Sequence, residues 1–203
     1  MALKLYTNSF SRGVVVDWLL IELGIECERI EVAFDTEMKT PEYLKINPFG
    51  KVPVLVDDDV VIYELGAICA YLTDKFAEKG LAPALNDPQR GVYYRWLFFI
   101  SGPWEAAATD RMLGVGVNPE QKSSVGYGDY DDAYNAFVIG VGEAAPYLCG
   151  EQFTTADVLV AAMLFWQLKM EEIQPHPAIA RYLDHVSKRP SYEKFAEFFS
   201  HAG

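Results

Sequence analysis

Apolar and polar positions recur with two different periods along this chain, and the change of period divides it. Leu3 to Tyr6 reads as a short strand. From Ser11 to Leu23 the apolar residues Val14, Val15, Trp18, Leu19 and Leu20 recur at helical spacing, and Gly24 follows as a C-terminal glycine. Ile25 to Val32 gives a second strand, with Ile30 and Val32 alternating. Thr40 and Pro41 mark a short helix start, the threonine as cap and the proline in the first turn, where its missing N–H costs nothing. Val52 to Val56 is an apolar run, Asp57 to Asp59 a polar turn, and Val60 to Tyr63 a return strand, which together predict a hairpin. Pro53 removes a ladder donor at the start of that hairpin, and the Val52–Pro53 bond is a natural place for a cis peptide. Val52 then keeps its N–H and C=O for an extended peptide docked alongside. A helix from Glu64 to about Glu78 completes this half, its first N–H groups aimed at any carboxylate placed there. The order of strands and helices predicts a mixed sheet with helices on its faces.

Strand periodicity then stops. Residues 79–86 contain Gly80 and Pro83 and read as a linker between a domain over 1–78 and an all-helical domain over 87–203. Asp87 and Pro88 open a long helix carrying Trp96, Leu97 and Phe98, which Gly102 and Pro103 should kink or end. Glu120 to about Leu148 reads as a second long helix, though Gly126, Gly128, Gly140 and Gly142 weaken it. Thr154 and Asp157 stand three residues apart before the apolar run Val158 to Leu164, the spacing of a capping box. Two final helices are expected over Ala178 to Ser187 and Ser191 to Ser200.

A net charge of −12 argues against nucleic acid or an anionic membrane as partner, since phosphate recognition needs a cationic surface. The longest apolar run, Val158 to Trp166, is far short of the roughly 20 residues of a membrane span. Met1 to Tyr6 runs straight into a strand pattern without a secretory h-region, so the cytoplasm is the expected compartment. Cys27, Cys69 and Cys149 are scattered, with no C-x-x-C pair, and read as buried apolar residues rather than a dithiol centre. His176, His185 and His201 cluster near the C-terminus and form no metal or nucleophile constellation, so no metal is expected.

The segments Asn47-Pro48-Phe49-Gly50-Lys51-Val52-Pro53-Val54-Leu55 and Glu64-Leu65-Gly66-Ala67-Ile68 carry a specific likeness. Together they resemble the glutathione transferase superfamily, whose usual second motif is Glu-Ser-x-Ala-Ile, and the resemblance extends over nearly the whole chain. It implies a thioredoxin-like α/β N-terminal domain that binds glutathione, an all-α C-terminal domain and a homodimer. Its activity would be attack of the glutathione thiolate, as co-substrate, on a small hydrophobic electrophile or peroxide in detoxification. A non-catalytic binding or scaffold protein that keeps the architecture is the alternative.

Such chemistry asks the protein to hold a thiol as thiolate. A free thiol has a pKa near 8.5, and lowering it by about two units takes about 2.7 kcal/mol of preferential interaction with the anion. A hydroxyl at the N-terminus of the first helix supplies much of that, through a hydrogen bond and the helix dipole. Ser11 is the first candidate, Ser9 and Asn8 follow, and Tyr6 comes last; Ser9 or Ser11 as a simple helix cap is the competing reading. Arg12 would add positive potential or pair at the surface. By the resemblance, Lys51 meets the glycyl carboxylate, Val52 offers its backbone to the cysteinyl part, Pro53 shapes the loop and Glu64 faces the γ-glutamyl amine. Leu65 stands where the family has serine or threonine, and leucine keeps only the N–H for the γ-glutamyl carboxylate. The second-substrate cleft of the family, lined by the first long helix of the second domain, would here take Phe99, Trp104 and Met112, with Tyr127 or Tyr130 beside them.

Overall fold

The computed structural model describes residues 3–200, so His201 lies outside the described residues. Two compact units emerge, Met1–Lys79 together with Arg189–Gly203, and Gly80–Lys188.

The first unit is built on a four-stranded sheet of β1 (Leu3–Thr7), β2 (Glu28–Glu31), β3 (Val54–Asp57) and β4 (Val60–Tyr63), in the order β2-β1-β3-β4. β2 runs parallel to β1, and β3 antiparallel to both β1 and β4. Side chains alternate along β1: Leu3, Leu5 and Thr7 are buried while Lys4 and Tyr6 are less so. Tyr6 meets Tyr43 of α2 (Pro41–Ile46) ring to ring at 6.0 Å. The Thr40 hydroxyl accepts the Tyr43 N–H at 3.2 Å, so the expected cap is in place. This is the mixed sheet anticipated from the order of elements, in the thioredoxin-like arrangement that the family resemblance implies.

Helix α1 (Gly13–Leu23) is apolar nearly all round, because it packs against the sheet, against α3 (Leu65–Lys75) and against α9 (Pro190–Ser200). Trp18 stacks on Phe195 at 4.3 Å, and its indole N–H donates to Ser191 Oγ at 2.9 Å. Arg189 clasps the Glu22 carboxylate through two bonds of 2.7 Å. These contacts correct the expected domain limits: residues 87–203 do not form one unit, because the chain returns at Arg189 to cover the outer face of α1. A buried tryptophan and a nearly buried carboxylate on α1 require that cover.

The second unit is helical. α4 (Gln89–Phe99) runs through a π turn at Ile100–Trp104 into α5 (Glu105–Met112). Pro103 sits inside that turn, so the expected kink takes the form of a widened turn that absorbs the missing donor. The long helix expected over 120–148 is not formed. Pro119–Ser124 is a short 3-10 turn, and α6 (Tyr130–Gly142) begins only after the Asp129 carboxylate has accepted the Asp132 N–H at 2.9 Å. Gly126 and Gly128 lie in the gap, where the backbone entropy of glycine opposes helix. α7 (Thr155–Lys169) is the buried helix, packed against α4 and α8 (Pro177–Val186). Among the described residues no helix is long and apolar enough to cross a membrane.

Candidate functional site

The turn from β1 into α1 is fixed by its own side chains. Asn8 is buried; its amide donates to the Val32 carbonyl at 3.0 Å while its Oδ1 accepts the Phe10 N–H at 3.0 Å. The Asn8 carbonyl accepts both the Ser11 N–H at 2.9 Å and the Ser11 hydroxyl at 2.7 Å, and Ser11 Oγ accepts the Gly13 N–H at 3.0 Å. Ser9 is held on the side of β2: its N–H donates to Glu31 Oε1 at 2.9 Å and its hydroxyl accepts from Arg29 at 3.1 Å. Of the three candidates in this turn, Ser11 stands in the wall of a cavity that Asn8 and Ser9 do not line. Asn8 acts as scaffold, which its buried and doubly bonded amide requires, and Ser9 is engaged by β2.

That cavity measures about 160 Å³, and Ser11, Arg12, Lys39, Lys51 and Val52 stand in its wall beside the exposed ring of Phe10. Three cations meet one carboxylate there, that of Asp35, on a chain whose net charge is −12. Lys39 ties the loop down by donating to the Gly50 carbonyl at 2.9 Å and to the Phe49 carbonyl at 3.2 Å. Gly50 has φ 58°, and a Cβ there would sit 2.6 Å from the Met38 carbonyl oxygen, so the close approach of the two loops requires glycine. The Lys51 carbonyl is held by the Tyr43 hydroxyl at 2.8 Å and the Asn47 amide at 2.9 Å. The Val52–Pro53 bond is cis, and the ladder begins only with the pairing of Tyr6 and Val54, leaving Val52 outside it.

Glu64 and Leu65 are not in the wall of this cavity. The register pairs Val54 with Tyr63, so Glu64 follows directly across the hairpin from Pro53, and the cis-proline loop lies beside the first turn of α3. Glu64 adopts φ 77°, a left-handed conformation that costs a non-glycine residue about 1–3 kcal/mol and concentrates at functional positions. The Leu65 side chain is buried, and its N–H belongs to the first turn of α3, whose donors have no partner within the helix.

The second-substrate candidates are scattered. Trp104 is fully buried, its indole N–H donating to Gln167 at 3.0 Å and its ring 4.8 Å from Phe137, so it belongs to the core of the helical unit. Phe99 packs between Trp96 and Phe137. Met112 is exposed at the end of α5. Tyr127 and Tyr130 do line a separate cavity of about 350 Å³, with the Arg111 guanidinium 4.0 Å from the Tyr130 ring. Sequence reasoning passed over Lys39, whose role depends on a loop ten residues away, and the exposed Phe10 and Phe34 at the cavity mouth.

Burial pushes the Cys27 and Cys149 thiols up to about 11 and the Cys69 thiol to about 12. All three therefore stay protonated at neutral pH, and none of them offers a thiolate nucleophile. No group of three or more potential metal-ligating side chains is found among the described residues.

Comparison with known proteins bears on the family and the fold. The family model of the glutathione S-transferase N-terminal domain matches residues 1–74, and that of the C-terminal domain residues 133–190. Glutathione S-transferase Z2 of Arabidopsis thaliana is 30% identical over 200 residues, which cover 94% of this chain and 89% of that protein. The chain belongs to the glutathione S-transferase family. Glutathione S-transferase F12 of Arabidopsis thaliana is 28% identical over 99% of this chain and 100% of its own length. The crystal structure of a glutathione transferase from Methylococcus capsulatus superposes with a TM-score of 0.77 at 27% identity, covering 97% of this chain and 98% of that one. As in other glutathione transferases, a thioredoxin-like domain is joined to a helical one, and the cationic cavity belongs to the former.

Proposed function

We propose that this glutathione transferase binds glutathione at the start of α1 and uses its thiolate to attack a small apolar electrophile or peroxide. The observation that carries the reading is the cavity in which Ser11 stands among Arg12, Lys39 and Lys51. A tripeptide with two carboxylates is drawn to such a patch, and a positive potential also favours the ionised thiol. Lys51, exposed at the cavity wall, takes the glycyl carboxylate, and Val52, outside the ladder, pairs with the cysteinyl backbone. Pro53 shapes the loop in between, and Glu64 with the Leu65 N–H receives the γ-glutamyl end.

Ser11 then has to exchange partners. Its hydroxyl donates to the Asn8 carbonyl, but that oxygen also holds the Ser11 N–H, so the hydroxyl can turn toward a thiolate without leaving a carbonyl unbonded. The thiol proton goes to solvent; the sulfur then forms a bond to the electrophilic carbon or peroxide oxygen as the leaving group departs with the electron pair. A hydrogen bond to a charged group is worth about 1.5–3 kcal/mol, so Ser11→Ala should lower kcat/KM for a generic aromatic electrophile about 10- to 100-fold. Full activity in that variant would remove Ser11 from the mechanism.

A binding protein without turnover is the second reading, favoured by the same Ser11 hydrogen bond, which satisfies the hydroxyl inside its own turn. Glutathione binding without conjugation or peroxide reduction would select it. Assembly as a cytoplasmic homodimer completes the proposal. Phe98 and Ile139, 75% and 64% exposed on α4 and α6, support it as large apolar side chains that a partner would cover. Sedimentation at the mass of a single chain would oppose it.

A further inference from the structure

Ser9 and Ser11 leave the same turn in different company: Ser11 lines the cavity, and Ser9 is gripped from β2. The grip is a connected network. Arg29 Nη2 donates to Ser9 Oγ at 3.1 Å, its Nη1 to Glu31 Oε2 at 2.5 Å, and its Nε to the two oxygens of Asp17 at 3.2 and 3.4 Å. Glu31 closes the ring by accepting the Ser9 N–H at 2.9 Å with its other oxygen. Asp17 is buried on α1, one turn into the helix that Ser11 introduces. One guanidinium thus ties together the turn, the edge strand and the helix, and its planar fork is what lets three partners be met at once.

The turn has two outer anchors, the Asn8 amide on the Val32 carbonyl and Ser9 on Arg29 and Glu31. Both lie just before Ser11, which is bonded back to the Asn8 carbonyl, and its hydroxyl can change partners productively only if that backbone does not move. A displacement of an ångström is enough to lengthen a hydrogen bond to a thiolate beyond use. We infer that Arg29 and Glu31 are positioning residues, which fix Ser9 so that the Ser11 hydroxyl reaches the glutathione sulfur and holds it as thiolate. The inference rests on the catalytic reading above and assigns Ser9 a holding role instead of a chemical one.

The test is the ionisation of bound glutathione, followed by thiolate absorbance against pH in the wild type, Arg29→Lys, Glu31→Ala and each change combined with Ser11→Ala. Lysine keeps a charge beside Asp17 but cannot serve three partners. The half-exposed Glu31 offers a variant that folds should Arg29→Lys fail to do so. In the wild type the bound thiol should ionise below the free-thiol value. Either single change should raise its pKa by about one unit, a tenfold fall in the ionisation constant, with the glutathione Kd altered less than about threefold. In the Ser11→Ala background the same changes should add nothing further. A merely structural role would lower the thermal midpoint and leave the thiol pKa where it was. An unchanged pKa in both variants, or an equal shift with and without Ser11, overturns the inference while the catalytic reading stands. A wild type whose bound thiol ionises like free glutathione overturns both.

Discussion

At Leu65 a single side chain decides between packing and ligand affinity. Its side chain is buried at the first turn of α3; in the proposed mode of binding, a hydroxyl at the same position would address the γ-glutamyl carboxylate. Leu65→Ser should tighten glutathione binding about tenfold or more, since a hydrogen bond to a charged group is worth about 1.5–3 kcal/mol, and should lower the folding stability by about 2–4 kcal/mol through the lost packing. Calorimetry and denaturant unfolding read the two effects separately, and unchanged affinity would refute this account of the position. Residues of this kind were legible to different degrees. Ser11 could be named as a candidate because a hydroxyl at a helix start has few things to do. Trp104 could not be placed, because an aromatic ring on a helix reads alike as core or as pocket until its neighbours Phe137 and Gln167, distant in sequence, are known.

Among the elements, α7 depends most on one carboxylate. Asp157 accepts from the Thr154 N–H at 2.9 Å, the Thr154 hydroxyl at 3.0 Å, the Leu148 N–H at 2.9 Å and the Tyr182 hydroxyl at 3.1 Å. Burial nevertheless pushes its carboxyl up to about 6, against those four donors. A carboxyl raised in the folded state contributes stability that is complete below its ordinary value near 3.8 and lost as pH rises through the folded value. Thermal midpoints should therefore carry a downward component between about pH 4 and pH 6 that Asp157→Asn removes. Asp157→Ala, which leaves the cap and two buried donors unsatisfied, should cost about 2–4 kcal/mol at any of these pH values. The capping box was readable because it is local, four residues with their own geometry. The gap before α6 was misread because the apolar period of the helix continues backward through Tyr127 and Val125, while the glycines that break it act by entropy rather than by pattern.

For the molecule as a whole, the return of the chain at Arg189 matters most. The helix that carries Ser11 at its start is covered on its outer face by α9, through the Trp18–Phe195 stack and the Arg189–Glu22 pair. Phe195 is fully buried in that cover. Phe195→Ala should cost about 3–5 kcal/mol in denaturant unfolding and weaken glutathione binding with it, since α1 loses its support; an unfolding curve like that of the wild type would mean that α9 is dispensable. The sheet and its two motifs were readable from local patterns, but this closure was not, because it joins residues about 170 positions apart. Charge works at the same scale. The chain carries a net charge of −12, yet this cavity gathers Arg12, Lys39 and Lys51 against a single carboxylate, which favours an anionic ligand there. The central claim, that this cavity is a glutathione site, is tested most directly by calorimetric titration of glutathione into the wild type and Lys51→Ala. Saturable binding in the wild type, weakened about tenfold in the variant, is the predicted result. No heat at millimolar glutathione, or equal affinities in the two proteins, would contradict it.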